Sequence, residues 1–304
     1  MLGGVALALA TLAGCGGSGQ AGGAGGSVLP SAVAPANSGQ SAASAAAPGY
    51  PSAAVPRPAH TVVVVMENHS YGEIIGNPAA PFINQLARGG ALFTRSYAVT
   101  HPSEPNYLAL FSGSTQGLAD DSCPHTFAAP NLAADLIAAG GSFAGYAEDL
   151  PAAGSLVCSQ GEYARKHVPW TDFSNVPGTV SKPFTSWPTG DFAQLPTVSF
   201  VIPNLCHDMH DCGVADGDAW LRSRIAGYAE WAMKHDSLLI LTWDEDDGSL
   251  ANQVPTIFVG QRVRPGQYAE PITHYSVLAT IETAYALPRD GQAAAAQPIM
   301  DAWS

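Results

Sequence analysis

Glu67-Asn68 and Asp244-Glu245 bring three carboxylates and one amide oxygen to two distant points of the chain, each directly after an apolar run. Oxygen donors of this kind hold hard divalent cations, and borderline cations also accept imidazole. Brought together without a cation, the carboxylates would repel one another and bind protons instead. A metal removes that conflict. Taken alone, Asp244 to Asp247 also fits a solvated acidic turn. Ser103, in Thr100-His-Pro-Ser-Glu-Pro-Asn106, precedes Pro105, a residue tolerated in the first turn of a helix. This spacing predicts Ser103 as a helix N-cap, whose plain task is to accept a free backbone N–H. The same position suits a nucleophile, because backbone donors favour a phosphate there and a neighbouring cation acidifies the hydroxyl. His101, His167, His207, His210 and His274 could bind substrate, ligate a second ion or protonate a leaving group. Any one of them alone also fits an ordinary hydrogen-bonded histidine.

Such residues need a rigid frame. Thr61–Met66 is rich in β-branched residues without alternation, which predicts a strand buried on both faces. Ala91–Val99, Ser142–Ala147, Val198–Ile202, Leu238–Thr242 and Thr256–Val259 are further candidate strands. Helical patterns lie between them at Pro81–Arg88, Pro105–Phe111, Asn131–Ala139, Trp220–His235 and Tyr275–Tyr285. The alternation predicts an α/β fold with a largely parallel central sheet and helices on both faces. The stretch Ser159–Pro196 has no clear period and is expected as a long ordered loop. In open α/β sheets ligands bind beyond the carboxyl ends of the strands. Most of the polar clusters follow candidate strands, so that edge is the expected site.

The 304 residues are 46% hydrophobic and 12% charged, enough for one sizeable core. A net charge of −13 argues against nucleic acid as a partner and means that an anionic substrate needs a local positive feature. Residues 1–15 are apolar and end in Leu12-Ala-Gly-Cys15, which predicts an export signal although no Lys or Arg precedes it. The ending resembles the bacterial lipobox, implying acylation of Cys15 and a cell-envelope or secreted location. Residues 16–58, almost wholly Gly, Ala, Ser and Pro, are expected to be a flexible tether, and residues 59–304 the catalytic domain. The remaining Cys123, Cys158, Cys206 and Cys212 allow three disulfide connectivities, of which Cys123–Cys158 with Cys206–Cys212 is favoured.

Taken in order, Met66-Glu-Asn-His69, His101-Pro-Ser-Glu-Pro-Asn-Tyr107, Lys166-His-Val-Pro169, Pro203 to Asp211, Trp243-Asp-Glu245 and Thr273-His-Tyr-Ser276 form a recognisable series. It resembles the phosphoesterase family of acid phosphatases and phospholipases C, within the alkaline phosphatase superfamily. The resemblance implies an alkaline-phosphatase-like fold and Ser103 as a nucleophile that forms a phosphoserine. It implies that Glu67, Asn68, Asp244 and Glu245 hold a divalent metal, and that Asn106 holds a phosphate oxygen. His167, His210 and His274 would then bind phosphate, assist the leaving group or complete a second site. Two-metal relatives carry an aspartate and a histidine four residues apart after the strand that matches Val198–Ile202. The corresponding stretch, Asn204 to Asp211, aligns in more than one way. Asp208 is therefore a candidate ligand, His207 a candidate substrate contact, and the number of ions stays open.

The expected activity is that of a metal-dependent acid phosphatase on small phosphate monoesters, in a monomer attached to membrane through a lipid only. No aromatic or amphipathic docking segment stands out. A phosphodiesterase or phospholipase C is the alternative within the family, and a non-catalytic phosphate- or metal-binding lipoprotein the alternative outside it.

Overall fold

Four consecutive valines dictate the centre of the molecule, because β-branched side chains pack well on a pleated surface buried on both sides. A computed structural model describes residues 54–249 and 251–304, and the expected signal peptide, Cys15 and the tether up to residue 53 lie outside them. Strand β1 (Thr61–Met66) is buried throughout. Val63 and Val65 enter one core layer, and Val62, Val64 and Met66 enter the other.

The main sheet has eight strands in the order β11-β2-β10-β9-β1-β8-β4-β7. Its members besides β1 are β2 (Ala91–Phe93), β4 (Phe143–Ala147), β7 (Ser181–Pro183), β8 (Val198–Ile202), β9 (Leu238–Trp243), β10 (Thr256–Gly260) and β11 (Gly266–Tyr268). Only β10 runs against its neighbours, so the sheet is largely parallel, as expected. Two small pairs stand apart: β3 (Ser96–Tyr97) with β12 (Ile272–Thr273), and β5 (Ser159–Gln160) with β6 (Tyr163–Ala164). On the face of Val63 pack α3 (Ser103–Ser112), α4 (Leu132–Ala138) and α7 (His274–Tyr285). The short α1 (Tyr71–Ile74), with α2 (Pro81–Gly89), α5 (Val214–Arg224) and α6 (Ala226–Ala232), covers the other face.

Three expectations are corrected. Ala91–Val99 is two strands, because the chain turns at Thr94 and Arg95 after the Thr94 N–H has made its bond to the Tyr268 carbonyl. The Trp220–His235 helix breaks at Ile225 and begins earlier, at Val214. Its first turn hides behind Gly217, where a Cβ would stand 2.5 Å from Met209 Cε, so an apolar pattern could not mark it. Ser159–Pro196 is no single loop; it carries β5, β6, β7 and several 3-10 turns, and buries Trp170, Phe173, Phe184, Trp187 and Phe192. Both favoured disulfides are formed, Cys123–Cys158 and Cys206–Cys212, with Cα separations of 5.9 and 4.6 Å.

Candidate active site

Helix α3 is buried on every side, which ties its start rigidly to the sheet edge. Gly113 ends it at φ 67°, in the left-handed region, and a Cβ there would lie 2.1 Å from the Asp290 carbonyl oxygen. Pro102, and not Ser103, is the N-cap; Ser103 is the first helical residue and makes no cap. The reason is competition for the hydroxyl. Ser103 Oγ donates toward Glu67 Oε2 at 2.9 Å and Glu245 Oε1 at 3.2 Å. Asn106 fastens the preceding loop: its Oδ1 accepts from Val99 and Thr100 N–H, and its Nδ2 donates to the Thr100 and Pro102 carbonyls. Both amide hydrogens are therefore engaged, and the expected phosphate contact would require exchanging one of them.

Glu67 and Asp244 leave the ends of adjacent parallel strands, so pairing of β1 with β9 sets them side by side. The Glu67 N–H donates to the Asp208 carbonyl, and the Asp244 N–H to the Met66 carbonyl, at 2.8 and 2.9 Å. Asn68, at φ 55°, donates its backbone N–H to Asp244 Oδ1 at 3.2 Å, and its side chain makes no hydrogen bond among the described residues. Glu245 Oε2 stands 2.5 Å from His101 Nδ1. Asp244, Glu245 and Asp246 are buried, which excludes the solvated turn for them.

Burial, and then the neighbouring charge of Asp208, pushes Glu67 well above the usual carboxylate range. Burial, followed by the charges of Glu67 and Glu245, does the same to Asp244. Burial raises Asp208 to about 8, and it raises Glu245. Asp244 Oδ2 and Asp208 Oδ2 are buried without a hydrogen-bond partner. No Lys or Arg among the described residues forms an ion pair with these four carboxylates. Buried carboxylates with orphaned oxygens and no directly paired Lys or Arg are a donor set that fits a divalent cation.

His167 is wedged between two of these acids, its Nε2 3.1 Å from Glu67 Oε1 and its Nδ1 3.2 Å from Asp208 Oδ2. Burial drives its pKa well below the usual histidine value. Glu67, His167 and His210 offer ligand atoms within 4.8 Å of one another, a second place where a cation or a phosphate fits. Lys166 Nζ lies 3.4 Å from His210 Nε2 and donates to Asp121 at 2.9 Å, which supplies the positive charge that the acidic chain otherwise lacks here. His274 stands behind the acids: its Nε2 donates to the Asp244 carbonyl at 2.6 Å, and burial lowers its pKa to about 4. His207 is turned elsewhere, with its Nδ1 on Glu148 at 2.8 Å and its ring stacked on Trp220. None of its bonds reaches Ser103 or Glu67.

Sequence reasoning gave no role to Tyr107, whose hydroxyl donates to Glu67 Oε1 at 2.6 Å and whose ring stacks on His167 at 5.0 Å. The signal was present, since Tyr107 follows Ser103 by four residues and so shares its helix face. Asp121 carried no such signal. Its contact with the Glu104 N–H comes from the loop that Cys123–Cys158 pins.

The parallel α/β sheet presents a buried serine, clustered acids and imidazoles at its carboxyl edge, where open α/β sheets bind ligands. The relatives give the class: a hydrolase acting on phosphate esters. Residues 77–288 place the chain in the Phosphoesterase family. It is 57% identical over 257 residues to a Mycobacterium tuberculosis protein named Phosphatidylinositol-3-phosphatase, covering 84% of this chain and 86% of that protein. It is 33% identical over 228 residues to an Aspergillus fumigatus acid phosphatase, covering 68% of this chain and 51% of that longer protein. In structure it resembles a Vibrio parahaemolyticus protein of the alkaline phosphatase superfamily, at a TM-score of 0.56 and 12% identity over 81% of this chain and 72% of that one.

Proposed function

We propose that the protein is an extracytoplasmic phosphomonoesterase in which Ser103 is the nucleophile. The observation that carries this reading is Ser103 Oγ, buried at the start of α3 and directed at Glu67 and Glu245. The hydroxyl proton has those two carboxylates as acceptors. Ser103 Oγ attacks phosphorus as the P–O bond to the alcohol breaks, and the alcohol leaves with a proton from His210 or water. Water then cleaves the phosphoserine and restores Ser103. A divalent ion held by Glu67, Asn68, Asp244 and Glu245 would supply Lewis acidity beside the seryl and phosphate oxygens. His167, His210 and Lys166 hold the phosphate, with Asp208 orienting His167. His274 holds the Asp244 backbone in place.

Two disulfides mark an oxidising compartment, and with Leu12-Ala-Gly-Cys15 they support a lipid-anchored envelope protein. The name of the Mycobacterium tuberculosis relative supports a phosphorylated lipid headgroup as the natural ester. The test is hydrolysis of para-nitrophenyl phosphate against bis-para-nitrophenyl phosphate, with and without EDTA. Chelator-sensitive cleavage of the monoester is expected. Preference for the diester would replace the monoesterase reading with the phosphodiesterase one, and turnover of neither ester with any divalent metal would leave a binding protein.

A further inference from the structure

Lys166 brings an ammonium to the acids of the site on a flexible four-carbon stem. The charges of Glu67 and Asp244 act on it, and its own charge acts on Asp208. An ammonium so placed, with nothing else to hold it, would fall onto one of those carboxylates. The ion pair that Lys166 forms is with Asp121 instead, at 2.9 Å. Asp121 divides its two oxygens between two partners. Oδ1 accepts the backbone N–H of Glu104, which follows Ser103 in α3, and Oδ2 accepts from Lys166 Nζ, both at 2.9 Å. One carboxylate therefore ties the ammonium to the first turn of the helix that begins with the proposed nucleophile.

A covalent link reinforces that tie. Cys123, two residues beyond Asp121, is bonded to Cys158, whose carbonyl accepts the N–H of Arg165, the neighbour of Lys166. The buried Arg165 guanidinium also donates to the His125 carbonyl at 3.2 Å. The segments that carry Asp121 and Lys166 are thus joined beyond the ion pair as well. An ammonium has three hydrogens. Asp121 takes one, and Lys166 Nζ stands 3.4 Å from His210 Nε2, so a donor remains for an oxygen of the substrate.

We propose that Asp121 is a positioning residue, which holds the Lys166 ammonium beside the start of α3 so that it binds the phosphate of the ester rather than the acids. This inference rests on the site proposed above for the place of the phosphate. Asp121 acts through Lys166 and is not itself a phosphate ligand, because a free carboxylate there would repel the anion. Without Asp121 the long side chain is expected to settle on Glu67 or Asp208, and the phosphate loses its ammonium.

The test is a double-mutant cycle in the full chain, with Asp121→Asn, Lys166→Met and the two together. Asn keeps an oxygen for the Glu104 N–H and removes the charge that holds the ammonium. The Asp121 side chain is 27% exposed, so the change opens no core. Inorganic phosphate is the probe, titrated by calorimetry and used as a competitive inhibitor of para-nitrophenyl phosphate turnover. Asp121→Asn is expected to weaken phosphate about tenfold in both measurements. In the Lys166→Met background the same substitution is expected to cost less than about twofold, because no ammonium is left to place. An equal loss in both backgrounds would overturn the proposal, by showing that Asp121 acts through the helix start or its own loop. Unchanged phosphate affinity in Asp121→Asn would overturn it as well. A parent that binds phosphate and turns over no ester would instead remove the phosphatase reading, and the calorimetric cycle would still decide the role of Asp121.

Discussion

Helix α7 joins two buried acidic clusters that resemble each other in composition and differ in purpose. At its start, His274 supports Asp244 beside Glu67, Glu245 and Asp208. In its last turn, Glu282 lies with Asp290 and Asp135, and Arg289 Nε stands 3.1 Å from Glu282 Oε2. Both sets bind protons more tightly than usual: burial raises Glu282 to about 8 and Asp290 to about 7. The difference is the counter-charge. The second cluster contains a guanidinium that also donates to the Ala293 and Ala296 carbonyls, so the cation is part of the fold. The first has imidazoles and a serine hydroxyl, and no Lys or Arg among the described residues pairs with its acids; Lys166 stands near them but is bonded to Asp121. A buried carboxylate cluster is therefore no site by itself; what distinguishes the first is a serine hydroxyl held among acids that no guanidinium or ammonium pairs directly.

The sharpest break of that comparison is Ser103→Ala. Turnover of para-nitrophenyl phosphate is expected to fall about a thousandfold or more, with metal binding measured by calorimetry retained. A variant with near-parental turnover would show that the serine only fills space between the acids.

Tyr107→Phe removes the single hydroxyl that orients Glu67 Oε1. A hydrogen bond to a charged group contributes roughly 1.5–3 kcal/mol, so kcat/KM should fall by about ten- to a hundredfold. Affinity for the divalent ion should weaken with it. Intact metal affinity and intact kcat/KM would mean that His167 and the strand ends fix Glu67 unaided.

Glu282→Gln tests the arginine-paired cluster and should leave turnover near the parental rate. Its effect is on stability against pH. The folded pKa of about 8 lies above that of an unfolded glutamate, so the native state holds the extra proton between them. Stability from this group is full below the unfolded pKa and is lost as pH rises toward 8. Gln cannot ionise, so the fall in Tm between pH 5 and pH 8 should be shallower in the variant. Parallel Tm profiles would show that Glu282 is ionised throughout, paired with Arg289.

What could be read from the sequence was whatever depends on near neighbours in the chain. Thr61–Met66 and Val198–Ile202 form strands where β-branched, non-alternating runs predict them. The parallel sheet followed from their alternation with helices, and the residues just past the strand ends could be named because such edges collect ligands. Only the tertiary structure decided which of those residues meet. Glu67 reaches Ser103 across 36 positions and Glu245 reaches it across 142, distances over which no local pattern carries information. The same limit explains the misplaced cap, since a distant pair of carboxylates takes the Ser103 hydroxyl that a local backbone N–H would otherwise use. It explains His207, drawn to Glu148 while Asp208 beside it faces His167, and Leu156 with Val157, whose side chains suit a core that the folded chain never offers them. Sequence determined the elements and the inventory of reactive groups; long-range packing determined which groups share a desolvated space, and there the chemistry resides.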